Sequence, residues 1–197
     1  AGSKITFAYT YVAQPLFLKK EEKMTEAERL KVQEEIKEAV QRMSLFSAQL
    51  YYHLTKEMVE DYGLDAAKET IKKAIRGFGL ERGANIRENC FKSGVEPTID
   101  NLHDHYDMPI AEGWSPHSHH TEGVKIEKEK DVVSEGCTES CIFADYWISK
   151  NWSEVGYLYC AVDNAIREAY NPNILYEPEK NILLGDDSCT ATSSYKK

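Results

Sequence analysis

Gly156, Cys160, Asp163, Asn164 and Arg167 stand three and four residues apart, placing a thiol, a carboxylate and a guanidinium on one side of a helix, opposite Val155, Val162 and Ile166. A thiol one turn from a carboxylate is either a nucleophile with its base or a pair of metal ligands. The same spacing also suits a solvated helix face with one stray cysteine. Cys137 and Cys141 lie four apart, inside the loose range of zinc ligation, but no second close Cys or His pair follows, and buried unpaired thiols fit equally well. Five of the six histidines, His103, His105, His117, His119 and His120, fall within residues 97–123, together with Asp104, Asp107 and Glu112. Imidazoles at that density suit a divalent metal such as zinc or iron, acid–base or substrate contacts, or a polar loop without chemistry. His53, beside Tyr51 and Tyr52, reads as a core histidine. Neither a Gly-x-Ser-x-Gly elbow nor a His-Glu-x-x-His helix is present.

The elements that must position these groups are mainly helical. Thr25 with Glu28 forms a capping box, and Val32, Ile36, Val40, Met43, Leu50, Leu54 and Met58 give a buried stripe as far as Tyr62-Gly63. Ser44 to Tyr52 is apolar nearly all round, which predicts burial on more than one face. Asp65 is placed to cap a second helix, with Leu64 as its staple and Ala67, Ile71, Ala74, Ile75 and Phe78 buried. Gly77, Gly79 and Gly83 each cost roughly 1 kcal/mol against alanine in a helix, so they imply close backbone packing or a purposeful break. Residues 97–123, with Tyr106, Met108, Ile110 and Trp114, read as an ordered lid or site wall. Val124 begins a half-exposed strand ending near Val133, ahead of a Glu135-Gly136 turn. Short and long helices follow over 141–150 and 153–170, then a hairpin of 181–184 with 188–195 around Gly185-Asp186-Asp187. Lys4 to Val12 alternates weakly, as a strand or a docking arm would. The expectation is a single α+β domain over residues 4–197, mainly helical, with a small antiparallel sheet formed largely by late strands.

The 197 residues, 42% hydrophobic and 29% charged, are enough for a substantial core. Lys plus Arg number 24 against 33 Asp plus Glu, a net charge of −9, which disfavours nucleic acid and anionic membrane as partners. No apolar run reaches membrane-spanning length, and Ala1-Gly2-Ser3-Lys4 has the look of a cleaved-tag remnant instead of a leader, so the chain reads as cytoplasmic. Five cysteines, an odd number, argue against a disulfide framework. The long charged helix also suits a homo-oligomer, although its heptad-like run is short for a coiled coil.

The order Cys141-Ile-Phe-Ala-Asp145-Tyr146-Trp147, Tyr159-Cys160-Ala-Val-Asp163-Asn-Ala, Tyr170-Asn171-Pro172 and Leu183-Leu184-Gly185-Asp186-Asp187-Ser188-Cys189 resembles the L-2-amino-thiazoline-4-carboxylic acid hydrolase family. The resemblance is clear over 137–192 and fainter around Gly79, Arg82-Gly83 and Ile86-Arg87. It implies a bacterial α+β hydrolase opening a small cyclic amidine-like C–N/C–S centre, with Cys141, Cys160, Asp163, Asp186 and Cys189 as the matching motif residues. Such a reaction needs a nucleophile, a proton for the departing atom and a cation for the substrate carboxylate. Cys160 or an activated water would attack, with Asp163 as base and His105 as acid. Arg87 or Arg167 would hold the carboxylate, and Trp114 would wall the substrate. Cys141, Asp186 and Cys189 are assigned to packing or to a ligand role, and His103, His117, His119 and His120 to a metal if one is bound. The alternatives are a metal-dependent enzyme of different chemistry on the same frame, or a non-catalytic sensor domain holding a metal or an apolar ligand.

Overall fold

The computed structural model describes residues 25–108, 124–129, 132–137 and 141–197. Helix α1 (Glu26–Tyr62) opens on the expected capping box: Glu28 N donates to Thr25 Oγ1 at 3.3 Å and Thr25 N to Glu28 Oε2 at 2.8 Å. The buried face of α1 differs from the one its large apolar residues predict, since Val40, Ser44, Ala48 and Thr55 are covered while Met43, Leu45, Phe46, Leu50 and Leu54 are exposed. Small residues win that face because two indoles dock on it. Trp147 Nε1 donates to the Ala48 carbonyl at 3.0 Å, and Trp152 Nε1 to Thr55 Oγ1 at 3.0 Å. Longer side chains there would keep the rings from the helix backbone. His53 is correspondingly exposed, its ring edge against Tyr52, and is not a core residue.

Helix α2 (Leu64–Lys92) follows at once, with Gly63 (φ +78°) ending α1 and beginning α2. Asp65 therefore lies inside the first turn and is not the cap. Ala67, Ile71 and Ile75 are buried as expected, whereas Ala74 and Phe78 face outward. The helix runs unbroken through its glycines, and two of them mark close packing. A Cβ on Gly79 would stand 2.6 Å from Ala165 Cβ and 2.7 Å from the Val162 carbonyl, and one on Gly83 would collide with the Ile166 carbonyl.

The helices Ile142–Ser149 (α3), Ser153–Gly156 (α4) and Val162–Tyr170 (α5) come next, with a 3-10 turn at Tyr157–Ala161 between the last two. The single helix expected over 153–170 is thus three pieces. Gly156 lies flat on Trp147, where a Cβ would come within 2.7 Å of the indole, and the chain tightens beyond it. The sheet is four-stranded and antiparallel in the order β1-β2-β4-β3, from Val124–Glu129, Val132–Cys137, Ile174–Lys180 and Cys189–Tyr195. Two expectations change here. The strand from Val124 is a hairpin, Glu129 pairing with Val132, and its second strand includes Glu135-Gly136. The late hairpin uses 174–180 as its first strand, while Ile182–Leu184 is a 3-10 turn started by Asn181 Oδ1, which accepts from Leu183 N. The alternation over Lys4 to Val12 lies outside the described residues.

The main core joins Ile71, Ile75, Ile86 and Cys90 of α2 to Val162, Ile166 and Tyr170 of α5, with Ile99 and Leu102 beneath. A second cluster holds Ala48, Phe143, Ala144, Trp147 and Leu183. Tyr170 ties α5 to the loop that follows α2 by donating to the Thr98 carbonyl at 2.8 Å. Among the described residues no helix is long and apolar enough to cross a membrane.

The glycine contacts give a paired expectation. Gly83→Ala should destabilise the protein by about 1–3 kcal/mol through overpacking against α5, whereas Gly77→Ala, which would meet open space, should stabilise it by up to about 1 kcal/mol. Urea denaturation of both variants checks this, and equal effects would contradict the close approach.

Candidate active site

The glycine contact on α2 also carries Arg82 inward, because Gly79, Arg82, Gly83 and Ile86 share one helical face. The Arg82 side chain is 8% exposed and makes a bidentate pair with Asp107, Nε to Oδ2 at 2.9 Å and Nη2 to Oδ1 at 2.6 Å. Its guanidinium carbon lies 5.0 Å from the centre of the Tyr106 ring. A buried guanidinium needs such a partner, since an unpaired charge there would cost several kcal/mol. Arg87, named with Arg167 as a carboxylate binder from the chemistry the resemblance implied, sits on the exposed face of α2 over Phe91. An arginine on the same face as two glycines was the signal for Arg82.

Across from Arg82, the 3-10 turn and α5 present Tyr159, Cys160, Asp163 and Arg167. Arg167 is 3% exposed, its Nη1 3.4 Å from the Asp163 carbonyl and 3.5 Å from Asp163 Oδ1, its Nε donating to Ser193 Oγ at 3.4 Å. The guanidinium carbon stacks 4.1 Å from the centre of the Tyr176 ring. The Cys160–Asp163–Arg167 face is therefore no solvated surface, because β3 and β4 lie across it.

Electrostatic coupling binds the two sides into one cluster. Burial pushes the Cys160 thiol up to about 12, helped by Asp163 and Cys189 and opposed by a hydrogen bond to Asn181. Burial also pushes the Tyr106 phenol up to about 12, with Arg82 and Arg167 opposing and Asp163 and Asp107 reinforcing. Tyr159 is raised further by the same cause, within the fields of Arg82, Asp163, Tyr106 and Cys160. Tyr106, Tyr159 and Cys160 are largely desolvated yet each keeps some accessible surface. The wall thus consists of three proton-bearing groups around one carboxylate, with a guanidinium on either side.

The remaining candidates divide. His103 stacks on Tyr106 at 6.3 Å, and the His105 carbonyl accepts from Asn89 Nδ2 at 3.2 Å, so both ride on the segment that Arg82 fastens through Asp107. Cys189 Sγ accepts from Ile182 N at 3.4 Å beside Cys160, and its backbone pairs with Cys137. Asp186 is exposed and closes its loop by accepting from Asn181 N at 2.7 Å. Cys141 stands at the N-cap of α3 against the Trp147 cluster. Trp114, His117, His119 and His120 lie outside the described residues, among which no group of three or more His, Cys, Asp or Glu side chains could hold a metal. Arg82, Tyr106, Tyr159 and Asn181 are the members that spacing did not reveal.

The protein is an α+β domain with a half-buried thiol and carboxylate and two buried, paired guanidinium groups at the junction of α2, α5 and the sheet. The family model for L-2-amino-thiazoline-4-carboxylic acid hydrolase matches residues 43–192, and the chain belongs to that family. No curated protein matches the chain significantly. Among solved structures, a trafficking protein particle complex subunit 3 from Naegleria fowleri, covalently bound to palmitic acid, aligns with 19% identity and a TM-score of 0.45, covering 78% of this chain and 95% of that one.

A thiol held near 12 carries about a thousandfold less thiolate at pH 8 than one at its ordinary value of 9. Iodoacetamide should therefore spare Cys160 in the native protein and modify it on denaturation, as peptide mass spectrometry would read. Linkage carries the same sign: the folded state holds this proton and the unfolded state releases it, so stability should fall as pH rises above about 9. Cys160→Ala should flatten that fall.

Proposed function

We propose that the protein hydrolyses a small cyclic amidine bearing a carboxylate, of the 2-amino-thiazoline-4-carboxylate kind. The observation that carries the reading is the Asp163 carboxylate set among Tyr106, Tyr159, Cys160 and Arg167, in a chain whose residues 43–192 match the family. Asp163 takes a proton from water as the oxygen adds to the amidine carbon. The C–S bond of the tetrahedral adduct then breaks, its electron pair leaves on sulfur with a proton, and the adduct becomes an N-carbamoyl amino acid thiol. Substrate plus one water balances product.

Attack by water in place of Cys160 follows from the protonated state of that thiol. Converting it to thiolate at neutral pH would consume much of the barrier reduction that covalent catalysis provides. Tyr106 and Tyr159, kept neutral by burial, donate hydrogen bonds to the charge that develops on the reacting centre. The proton that Asp163 takes from water is the one that leaves with sulfur, so Asp163 fills the acid role first assigned to His105 as well as the base role, and the phenols act only as hydrogen-bond donors. Arg167 holds Asp163 in place, and the positive charge of Arg82 and Arg167 favours a substrate carboxylate near the cluster.

Turnover of 2-amino-thiazoline-4-carboxylate, followed by release of free thiol, tests the reading. Asp163→Asn should lower kcat by about 10²-fold or more, Tyr159→Phe should lower it by about tenfold or more at unchanged fold, and Cys160→Ala should retain most activity. Full activity of Asp163→Asn would remove the carboxylate from the mechanism, and inactivity of a folded Cys160→Ala would return the nucleophile to the thiol.

A further inference from the structure

Cys189 opens β4 and stands directly opposite Cys137, the last residue of β2, in the antiparallel ladder. Directly opposed residues of such a ladder share one face of the sheet with Cα atoms about 4.5–5.5 Å apart, and a disulfide spans Cα separations of about 4.4–6.8 Å. The register thus sets two cysteines from distant parts of the chain at bonding separation. The other thiols are less suited to oxidation. Cys90 is fully buried, its Sγ 3.4 Å from Tyr170 Oη, Cys141 packs against the Trp147 cluster, and burial keeps Cys160 protonated. Cys189 is half-buried, so a small oxidant reaches it.

Cys189 Sγ accepts from Ile182 N at 3.4 Å. Ile182 follows β3, whose Lys180 pairs with Thr190, and β4 lies between β3 and β2. The sulfur therefore serves the β3 side of its strand, and bonding to Cys137 on the β2 side turns it from the Ile182 amide. We propose that Cys137 and Cys189 form a reversible cross-strand disulfide in response to peroxide, stapling β2 to β4 and releasing the Ile182 amide. The Cys189 sulfur attacks hydrogen peroxide, the O–O bond breaks, and a sulfenic acid and one water result. The Cys137 sulfur then attacks the sulfenic sulfur, the S–S bond forms, the S–O bond breaks, and the oxygen leaves as a second water carrying the Cys137 proton. Two thiols lose two electrons and one peroxide gains them, and a small dithiol reverses the change by exchange. Ile182 opens the 3-10 turn that Asn181 starts, and the Asn181 side chain hydrogen-bonds Cys160, so the staple acts at the edge of the candidate site.

Treating the full chain with a few equivalents of hydrogen peroxide, then digesting it without reductant for peptide mass spectrometry, should give a peptide pair linked through Cys137 and Cys189. Dithiothreitol should remove the link, and circular dichroism should be the same before and after oxidation. Hydrogen exchange should show the Ile182 amide losing protection in the oxidised protein. Cys137→Ser should abolish the link and leave Cys189 as a sulfenic acid that dimedone traps. No link, a link from Cys189 to Cys160 or Cys141, a link that forms only in the unfolded chain, or an Ile182 amide equally protected in both states would each overturn the proposal.

Discussion

Among the described residues, the candidate site depends on how closely α2 approaches α5. Gly79 and Gly83 lie one turn apart and meet Ala165 and Ala169, also one turn apart, so backbone rests on side chain or carbonyl with no room for an added methyl. Small residues on both partners let the axes come nearer than ordinary packing permits. That proximity brings Arg82 on α2 up to the cluster that Cys160, Asp163 and Arg167 form at the start of α5. A wider separation would leave Arg82 and Asp107 as an ordinary surface pair and open the cluster to water.

Once the two helices are fixed, burying polar groups becomes the dominant cost, and the structure offsets it by pairing. Arg82 takes both oxygens of Asp107, and Arg167 is shared between Asp163, Ser193 and the face of Tyr176. Asp107 thereby anchors the segment carrying His103, His105 and Tyr106, together with the hydrogen bond from Asn89 to the His105 carbonyl. The aromatic plate of Tyr51, Phe143, Trp147 and Tyr159 supports the same region from below. Low dielectric around these rings keeps the phenols and the thiol protonated.

Local signals in the sequence were reliable where the physics is local. The Thr25–Glu28 box and the face shared by Cys160, Asp163 and Arg167 both depend on residues within a few turns of each other. Reading failed where the partner is remote. The apolar side chains of α1 were placed inward on hydrophobicity alone, but two indoles from beyond residue 140 claimed its small-residue face. Tyr106 and Tyr159 looked like ordinary aromatics, since a phenol gains its role from the charges that a fold sets around it.

What this sequence determined by itself is a family, a mainly helical α+β class, the extents of its two long helices and the order of thiol, carboxylate and guanidinium along one helix face. These follow from periodicity, capping and motif, which need no knowledge of distant contacts. Tertiary structure alone decided which arginine of α2 is buried, what lies over the Cys160 face, and in which protonation state the thiol rests. Each of those is set by desolvation and by charges from segments tens of residues away, and no spacing along the chain encodes them.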